Sequence, residues 1–106
     1  MFMNPDWQYA ILWEFHVKPE AQPQFERVYG ARGDWAQFFR MASGYIGTEL
    51  IRDEKQSHRY VTIDLWRSRQ EYEAFRQQHA DEYRQIDQRC EQMTEAEQAL
   101  GTFERS

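Results

Sequence analysis

Residues 59–75 read RYVTIDLWRSRQEYEAF and join the end of a strand to the start of a helix. The first eight residues alternate between two faces, with Val61, Ile63 and Leu65 on one and Tyr60, Thr62, Asp64 and Trp66 on the other. Ser68 with Glu71 three residues later is a capping pair, which predicts that a helix begins there. A Trp at such a junction either fills the core or lines a ligand cavity.

The composition favours a small folded protein with a polar surface. The 106 residues predict a single domain over 1–106, long enough to bury about two thirds of the surface of the unfolded chain. Aromatic residues make up 16% of the chain and charged residues 29%. The net charge of −5 argues against nucleic acid as a partner, because phosphate binding needs a basic surface.

Other sequence features concern the compartment and the thiol chemistry. No apolar run has the length of a membrane span, and the N-terminus lacks a basic segment followed by an apolar one. We therefore expect no membrane partner and a cytoplasmic location. The single Cys90 excludes an internal disulfide, and its place on a predicted helix indicates a buried, inert thiol.

The remaining segments complete a six-element pattern. Residues 8–17 and 45–52 are predicted strands, and the second of these should form a hairpin with residues 59–66. A helix is predicted from about residue 20, followed by a second helical segment that carries Trp35, Phe38 and Phe39.

The helix from Ser68 should bend around residues 79–81. Thr94 with Glu97 is a second capping pair that predicts a final helical turn, and residues 100–104 predict a short edge strand. The order β-α-β-β-α-β predicts an α+β, ferredoxin-like fold with a four-stranded antiparallel sheet and both helices on one face.

This arrangement leaves the other sheet face uncovered in a single chain. Ala10, Leu12 and part of the strand over residues 45–52 should lie on that face, together with Tyr60 and Trp66 if the third strand is oriented that way. A sheet that is apolar on both faces needs a second layer, and an identical sheet would supply one as a homodimer. A solvated face of mixed polarity is the alternative.

Three motifs resemble the antibiotic biosynthesis monooxygenase family of dimeric α+β barrels. They are FERVYGARGDW at 25–35, GYIGTEL at 44–50 and YVTIDLWRS at 60–68. The resemblance spans about Tyr9 to Phe103 and implies a homodimer with two sheets packed face to face. Family members include cofactor-independent oxygenases of polyketide phenols, quinol oxygenases and haem-degrading enzymes.

Residue-by-residue comparison separates these subclasses. In the polyketide oxygenases a strand-end Trp and a helix Tyr six residues later line the pocket, and Trp66 and Tyr72 match both. Those enzymes also have an Asn four residues before the Trp, where this chain has Thr62. The residues characteristic of haem degradation are replaced, by Phe15, Phe75 and Gln85, which argues against that activity.

The resemblance therefore favours a cofactor-independent monooxygenase that acts on an electron-rich aromatic. Such a substrate supplies its own reducing power, so neither a cofactor nor a metal is expected. The protein must supply an apolar slot, a base and donors for the developing oxyanion. The residues predicted to build the slot are Trp13, Phe15, Trp35, Phe38, Phe39 and Phe75, with Thr62 as a polar contact.

Several residues are candidates for moving the proton. His16 with Asp64 from the neighbouring strand is one possible base, and His79 on the stripe with Tyr72 is the other. Each candidate also has a non-catalytic interpretation. The pair of His16 and Asp64 could satisfy polar groups at a dimer seam, and His79 could be a partly exposed helix residue. Glu14, His16 and Asp64 offer oxygen and nitrogen ligands for a divalent metal, but their spacing is not diagnostic, and no metal site is predicted.

Five arginines on the second helix are interleaved with acids and predict a solvated, salt-bridged face: Arg67, Arg69, Arg76, Arg84 and Arg89. The competing function is a non-catalytic dimeric domain that binds a small hydrophobic ligand or is associated with stress. Thr62 favours this alternative, whereas Trp66 and Tyr72 favour the enzyme.

Overall fold

The computed structural model describes residues 6–106, which form one antiparallel sheet covered on one face by helices. The strands are β1 Tyr9–Val17, β2 Tyr45–Arg52, β3 Arg59–Trp66 and β4 Thr94–Glu104, in the order β2-β3-β1-β4. The helices are α1 Gln22–Tyr29, α2 Asp34–Phe39, α3 Arg69–Gln78 and α4 Ala80–Cys90, with short 3₁₀ turns at Pro19–Ala21 and Glu91–Met93. The ferredoxin-like fold is confirmed, with the two predicted helical segments between β1 and β2 and a second helix that is divided into α3 and α4.

The central strands β1 and β3 set which side chains meet the helices. Ile11 is opposite Asp64, and Trp13 is opposite Thr62. Residues directly opposite one another in an antiparallel pair lie on the same face of the sheet. Since Phe15 packs on Phe25 of α1, this face is the one that the helices cover.

The start of α3 follows the predicted cap. The Glu71 amide donates to Ser68 Oγ at 3.1 Å, and the Ser68 hydroxyl donates to the Glu71 carboxylate at 3.1 Å. Gly44 packs against this first turn so closely that a Cβ there would lie 2.6 Å from Glu71 Cβ. The helix then ends before His79, whose non-helical backbone confirms the predicted bend.

The C-terminal region differs from the prediction. Thr94 opens β4 and does not begin a helical turn, so the last strand runs for 11 residues and not only over residues 100–104. Hydrogen bonding to β1 explains the difference, because pairing along the full length of β1 outweighs the local capping preference of Thr94 and Glu97. β4 does lie at the edge of the sheet, as predicted.

The uncovered face is apolar in part, and it carries Leu12 and part of β2 as expected. Leu12, Ile63 and Ile51 lie on it. Phe103 lies there too, because it is opposite Ala10 in the β1–β4 register. Ile51 and Phe103 are about half exposed. Tyr60 and Trp66 are not on this face: they are in register with Phe15 and Tyr9 and are fully buried beneath the helices.

Two further predictions concern single features. Cys90 is buried and unpaired, as expected. In the described part of the chain, no helix is both long and apolar enough to cross a membrane.

The cap at Ser68 provides a test of the fold. Ser68→Ala should lower the free energy of unfolding by about 1 kcal/mol, because the Glu71 amide loses its acceptor. Urea denaturation at fixed protein concentration measures the change. Ser57→Ala, at an exposed turn position, is the control and should change stability by less than about 0.5 kcal/mol. Equal effects of the two substitutions would contradict a stabilising cap.

Candidate functional site

A cavity of about 280 Å³ lies between the covered sheet face and the helices. The aliphatic and aromatic residues that line it are Ile11, Trp13, Phe15, Tyr29, Trp35, Phe39, Tyr72 and Tyr83. The polar residues are Thr48, Thr62, Asp64, Arg76, Asp87 and Glu97. The space is large enough for a small aromatic molecule, and its mixture of flat apolar walls with few polar groups is typical of ligand sites.

Asp64 lies deep in the protein but keeps part of its surface open to the cavity. Burial raises the pKa of this carboxyl to about 6, because the charged form loses hydration. Thr48 opposes this shift by donating a hydrogen bond to Asp64 Oδ1 at 2.6 Å. The second oxygen, Oδ2, has no hydrogen-bond partner among the described residues.

Arg76 brings a positive charge to the same cavity. Its guanidinium lies over the Tyr83 ring, with Cζ 3.6 Å from the ring centroid, and donates to the Tyr72 hydroxyl at 2.8 Å. The buried Nε of Arg76 has no partner within residues 6–106. A buried donor of this kind costs free energy unless a ligand or water accepts a hydrogen bond from it.

The predicted solvated face therefore needs one correction. Arg67, Arg69, Arg84 and Arg89 are exposed and pair with acids, as expected. Arg76 is half-buried because α3 turns it towards Tyr72 and Tyr83.

Two acidic residues line the cavity alongside Arg76. Asp87 comes from α4 and Glu97 from β4. The pKa of Glu97 is raised, first by burial and then by the charges of Asp87 and Glu91. The lining therefore carries more negative than positive side chains.

Trp66 and Tyr72, the two residues matched to the polyketide oxygenases, occupy different layers. Tyr72 lines the cavity, and burial raises the pKa of its phenol while Arg76 opposes the shift. The fully buried Trp66 does not line it. Its ring stands edge-on to Tyr72, with centroids 5.1 Å apart, so Trp66 supports the wall from behind.

The predicted slot residues divide in the same way. Trp13, Phe15, Trp35, Phe39 and Thr62 line the cavity. Phe38 and Phe75 do not: their rings pack on each other with centroids 4.9 Å apart in the core.

His79 is also separated from the cavity. It lies between α3 and α4, with Nδ1 2.6 Å from Glu82 Oε1 and its ring on Phe75. It is not among the cavity-lining residues, so the position does not bring its imidazole to a bound ligand.

The predicted pairing of His16 with Asp64 is wrong. His16 is opposite Arg59 in the β1–β3 register, whereas Asp64 is opposite Ile11, so the two side chains lie on different faces of the sheet. His16 Nε2 is 3.8 Å from Glu14 on the uncovered face. The same geometry prevents Glu14, His16 and Asp64 from sharing a metal ion.

On that uncovered face, Glu14 belongs to a polar network. Arg59 donates to Glu14 and, at 2.8 Å, to Asp53. His58 is exposed in the hairpin turn that precedes β3, one residue before Arg59. Within residues 6–106, no three His, Cys, Asp or Glu side chains are grouped so that they could hold a metal ion.

Several lining residues escaped the sequence analysis, although some left a signal. Arg76 follows Tyr72 by one helical turn, and Asp87 follows Tyr83 by the same interval, so each pair shares a helix face. Thr48 is opposite Asp64 in the observed register, whereas counting outward from the predicted strand ends, residues 52 and 59, would have placed it opposite Ile63. Glu97 lay in the stretch predicted to be helical.

The sequence profile of one family matches most of this chain. The family is antibiotic biosynthesis monooxygenase, and the match covers residues 8–89. The fold, the cavity beneath its helices and this match place the chain in the antibiotic biosynthesis monooxygenase family. No curated protein sequence matches significantly.

Solved structures share the architecture at low identity. A mutant of SnoaB, a cofactor-independent oxygenase from Streptomyces nogalater, has a TM-score of 0.76 at 19% identity, over 92% of each chain. A monooxygenase from the gene ActVA-Orf6 of Streptomyces coelicolor, in complex with nanaomycin D, has a TM-score of 0.76 at 13% identity, over 97% of this chain and 91% of that one. A Pseudomonas aeruginosa protein has a TM-score of 0.69 at 16% identity, over 98% and 99%.

The raised pKa of Asp64 makes stability depend on pH. The folded protein holds this proton more tightly than the unfolded chain, whose Asp has the ordinary pKa of 3.8. The contribution to folding is therefore fully present below about pH 4 and is lost as pH rises through about 6. Asp64→Asn should raise the free energy of unfolding at pH 8 by about 1 to 3 kcal/mol and change it little at pH 4.

Urea unfolding at the two pH values, at one protein concentration, measures this effect. Glu54→Gln, at an exposed position in the hairpin turn, is the matched control and should not alter the pH dependence. An Asp64→Asn protein that is less stable than wild type at pH 8 would contradict the assignment of a destabilising buried carboxylate.

Proposed function

We propose that this protein is a cofactor-independent monooxygenase that oxidises an electron-rich aromatic, such as a phenol or quinol, with dioxygen. The observation that carries the proposal is one cavity in which flat aromatic walls surround a carboxylate of raised pKa and a half-buried guanidinium. Membership of the antibiotic biosynthesis monooxygenase family supports the reaction class.

Asp64 is the proposed base. Its Oδ2 accepts the proton of the substrate, and the resulting anion is held by the N–H groups of Arg76. A phenol with a pKa near 10 is about 4 units less acidic than Asp64, which makes the proton transfer unfavourable by roughly 5 kcal/mol. A charge-assisted hydrogen bond from Arg76 offsets about 1.5 to 3 kcal/mol of this cost.

The substrate anion then passes one electron to dioxygen. The two radicals recombine to form a carbon–oxygen bond, which gives a hydroperoxide after protonation. Loss of water from this hydroperoxide, with removal of the hydrogen on the same carbon, leaves a carbonyl. One oxygen atom enters the product and the other leaves as water, and the substrate provides all the electrons.

The aromatic walls position the substrate for these steps. Trp13, Tyr72 and Tyr83 offer flat surfaces for ring stacking, while Trp66 keeps Tyr72 in place. The apolar lining also limits water near the anion, which strengthens its interaction with Arg76.

The competing proposal is a protein that binds a small aromatic without turning it over. It is favoured by Thr62, which lines the cavity with a hydroxyl where the polyketide oxygenases have an amide. Both proposals predict binding, and only the first predicts oxygen consumption.

Oxygen uptake with a panel of hydroquinones and anthrones in metal-free buffer tests the reaction. Asp64→Asn should lower kcat by about 100-fold or more, because a general base is lost. Wild-type turnover should rise with pH through about 6, as Asp64 ionises. Arg76→Gln should lower kcat/KM by about 10- to 100-fold, since the anion loses its counter-charge.

Arg84→Gln is the matched control for Arg76, because Arg84 is exposed on α4 and pairs with Asp81. It should leave turnover unchanged. Saturable binding of several panel members, measured by tryptophan fluorescence, without any oxygen uptake would refute the oxygenase and support the binding protein.

We also propose that the uncovered sheet face packs on a second copy of the chain. The exposed Ile51 and Phe103 lie on this face with the half-buried Leu12 and Ile63. Burying such side chains against an identical face removes apolar surface from water. This burial favours association by about 25 cal/mol per Å². Two-fold packing of two sheets completes a barrel-like arrangement.

Ile51→Glu and Phe103→Glu should convert a dimer to a monomer in sedimentation velocity at micromolar concentration. Met41→Glu is the matched control, since Met41 is similarly exposed but lies in the connection between α2 and β2 and not on a strand. A wild-type protein that sediments as a monomer would disprove this proposal.

A further inference from the structure

A chain of hydroxyl groups leads to the carboxylate in the cavity. The Tyr45 hydroxyl is 2.6 Å from Thr48 Oγ1, and Thr48 Oγ1 is 2.6 Å from Asp64 Oδ1. Tyr45 and Thr48 both belong to β2, and Thr48 is opposite Asp64 across the β2–β3 register. The backbone pairing of the hairpin therefore fixes the distance from Thr48 to Asp64.

The direction of the chain follows from counting protons. An ionised carboxylate can only accept, so Thr48 must donate its single hydroxyl proton to Asp64. The Thr48 oxygen is then left as an acceptor for Tyr45, whose phenol must donate. Tyr45 can do so because burial raises its pKa to about 12 and keeps the phenol protonated.

We infer that Thr48 and Tyr45 are positioning residues for Asp64, which hold Oδ1 by a one-way hydrogen-bond chain and leave Oδ2 to act on the substrate. This inference rests on the proposed role of Asp64 as the base. Without the chain, both carboxylate oxygens would compete for the substrate proton and the side chain would be free to rotate. Tyr45 acts at one remove, by preventing the Thr48 hydroxyl from turning away from Asp64.

Other groups around Asp64 do not replace this support. The titratable groups that line the cavity are Tyr29 on α1, Tyr72 and Arg76 on α3, Tyr83 and Asp87 on α4, and Glu97 on β4. The β1 residues facing the cavity, Ile11, Trp13 and Phe15, carry no titratable group. Thr48 is the neighbour whose hydrogen bond opposes the effect of burial on the pKa of Asp64.

The test is a carbon-13 NMR titration of the Asp64 carboxyl in the substrate-free, full-length protein, with Asp64→Asn used to assign the signal. Thr48→Val removes the donor with little change in shape and should raise the titration midpoint by about 1 to 2 pH units. Tyr45→Phe should produce a smaller shift in the same direction. Thr48→Ser keeps a hydroxyl and should restore the wild-type midpoint.

Thr62→Val is the matched control for the titration, because it makes the same chemical change at another cavity-lining threonine. It should leave the midpoint of Asp64 unchanged. If the wild-type enzyme turns over a substrate, the pH at which turnover rises should move with the NMR midpoint in each variant.

An unchanged midpoint in a folded Thr48→Val protein would overturn the inference, as would equal shifts for Thr48→Val and Thr48→Ser. Should Thr48→Val fail to fold, Tyr45→Phe and Thr48→Ser decide the question by the same measurement. The titration needs no turnover, so absence of oxygenase activity would disprove the proposed function without affecting this result.

Discussion

The register between β1 and β3 is the constraint on which the rest of the structure depends. Because Ile11 is opposite Asp64, the carboxylate must enter the space beneath the helices. A shift by one residue would move Asp64 to the other face and bring Ile63 inward. The same register seals Trp66 and Tyr60 inside the protein and leaves Leu12 and Ile63 on the uncovered face. One set of backbone hydrogen bonds thereby determines the core, the cavity and the surface available to a partner.

Burying Asp64 is unfavourable for folding, and the protein offsets that cost only in part. Thr48 supplies one hydrogen bond to the carboxylate, and no other hydrogen bond to it is formed within the described residues, so Oδ2 faces the cavity. The unpartnered Nε of Arg76 is a second unfavourable group at the same cavity. Polar groups without a hydrogen-bond partner are found where a ligand can form the missing hydrogen bond. The stability that they cost is common at functional sites.

The strands β2 and β3 and the start of α3 could be predicted from the sequence because local signals agreed there. Alternation, a polar turn and a capping Ser all pointed to the same structure, and the observed bounds match. Local signals failed at Thr94, where a capping preference competed with the long-range pairing of β4 on β1. They also could not show which face of β3 meets the helices, since Val61, Ile63 and Leu65 are as apolar as the buried set.

The candidate site was predictable in much of its aromatic part and at two polar residues, Thr62 and Asp64. Trp13, Phe15 and Trp35 line the cavity as expected, since large apolar rings between a sheet and its helices are buried in the space that separates them. The other polar lining residues were missed, because their roles depend on contacts between distant segments. Arg76 resembled its exposed neighbours in sequence, and the pairing of His16 with Asp64 failed because adjacent strands can present side chains on opposite faces.

The length of β4 bears on how the chain avoids uncontrolled self-association. A strand of 11 residues at a sheet edge presents backbone N–H and C=O groups with which a strand from another chain can pair. Its register with β1 shifts between Leu12 and Trp13 and again between His16 and Val17. These irregularities interrupt the even spacing of hydrogen-bonding groups along the strand. Glu95, Glu97 and Glu104 add like charges along the same strand. The register shifts and the like charges both disfavour edge-to-edge pairing of β4 with a strand from another chain.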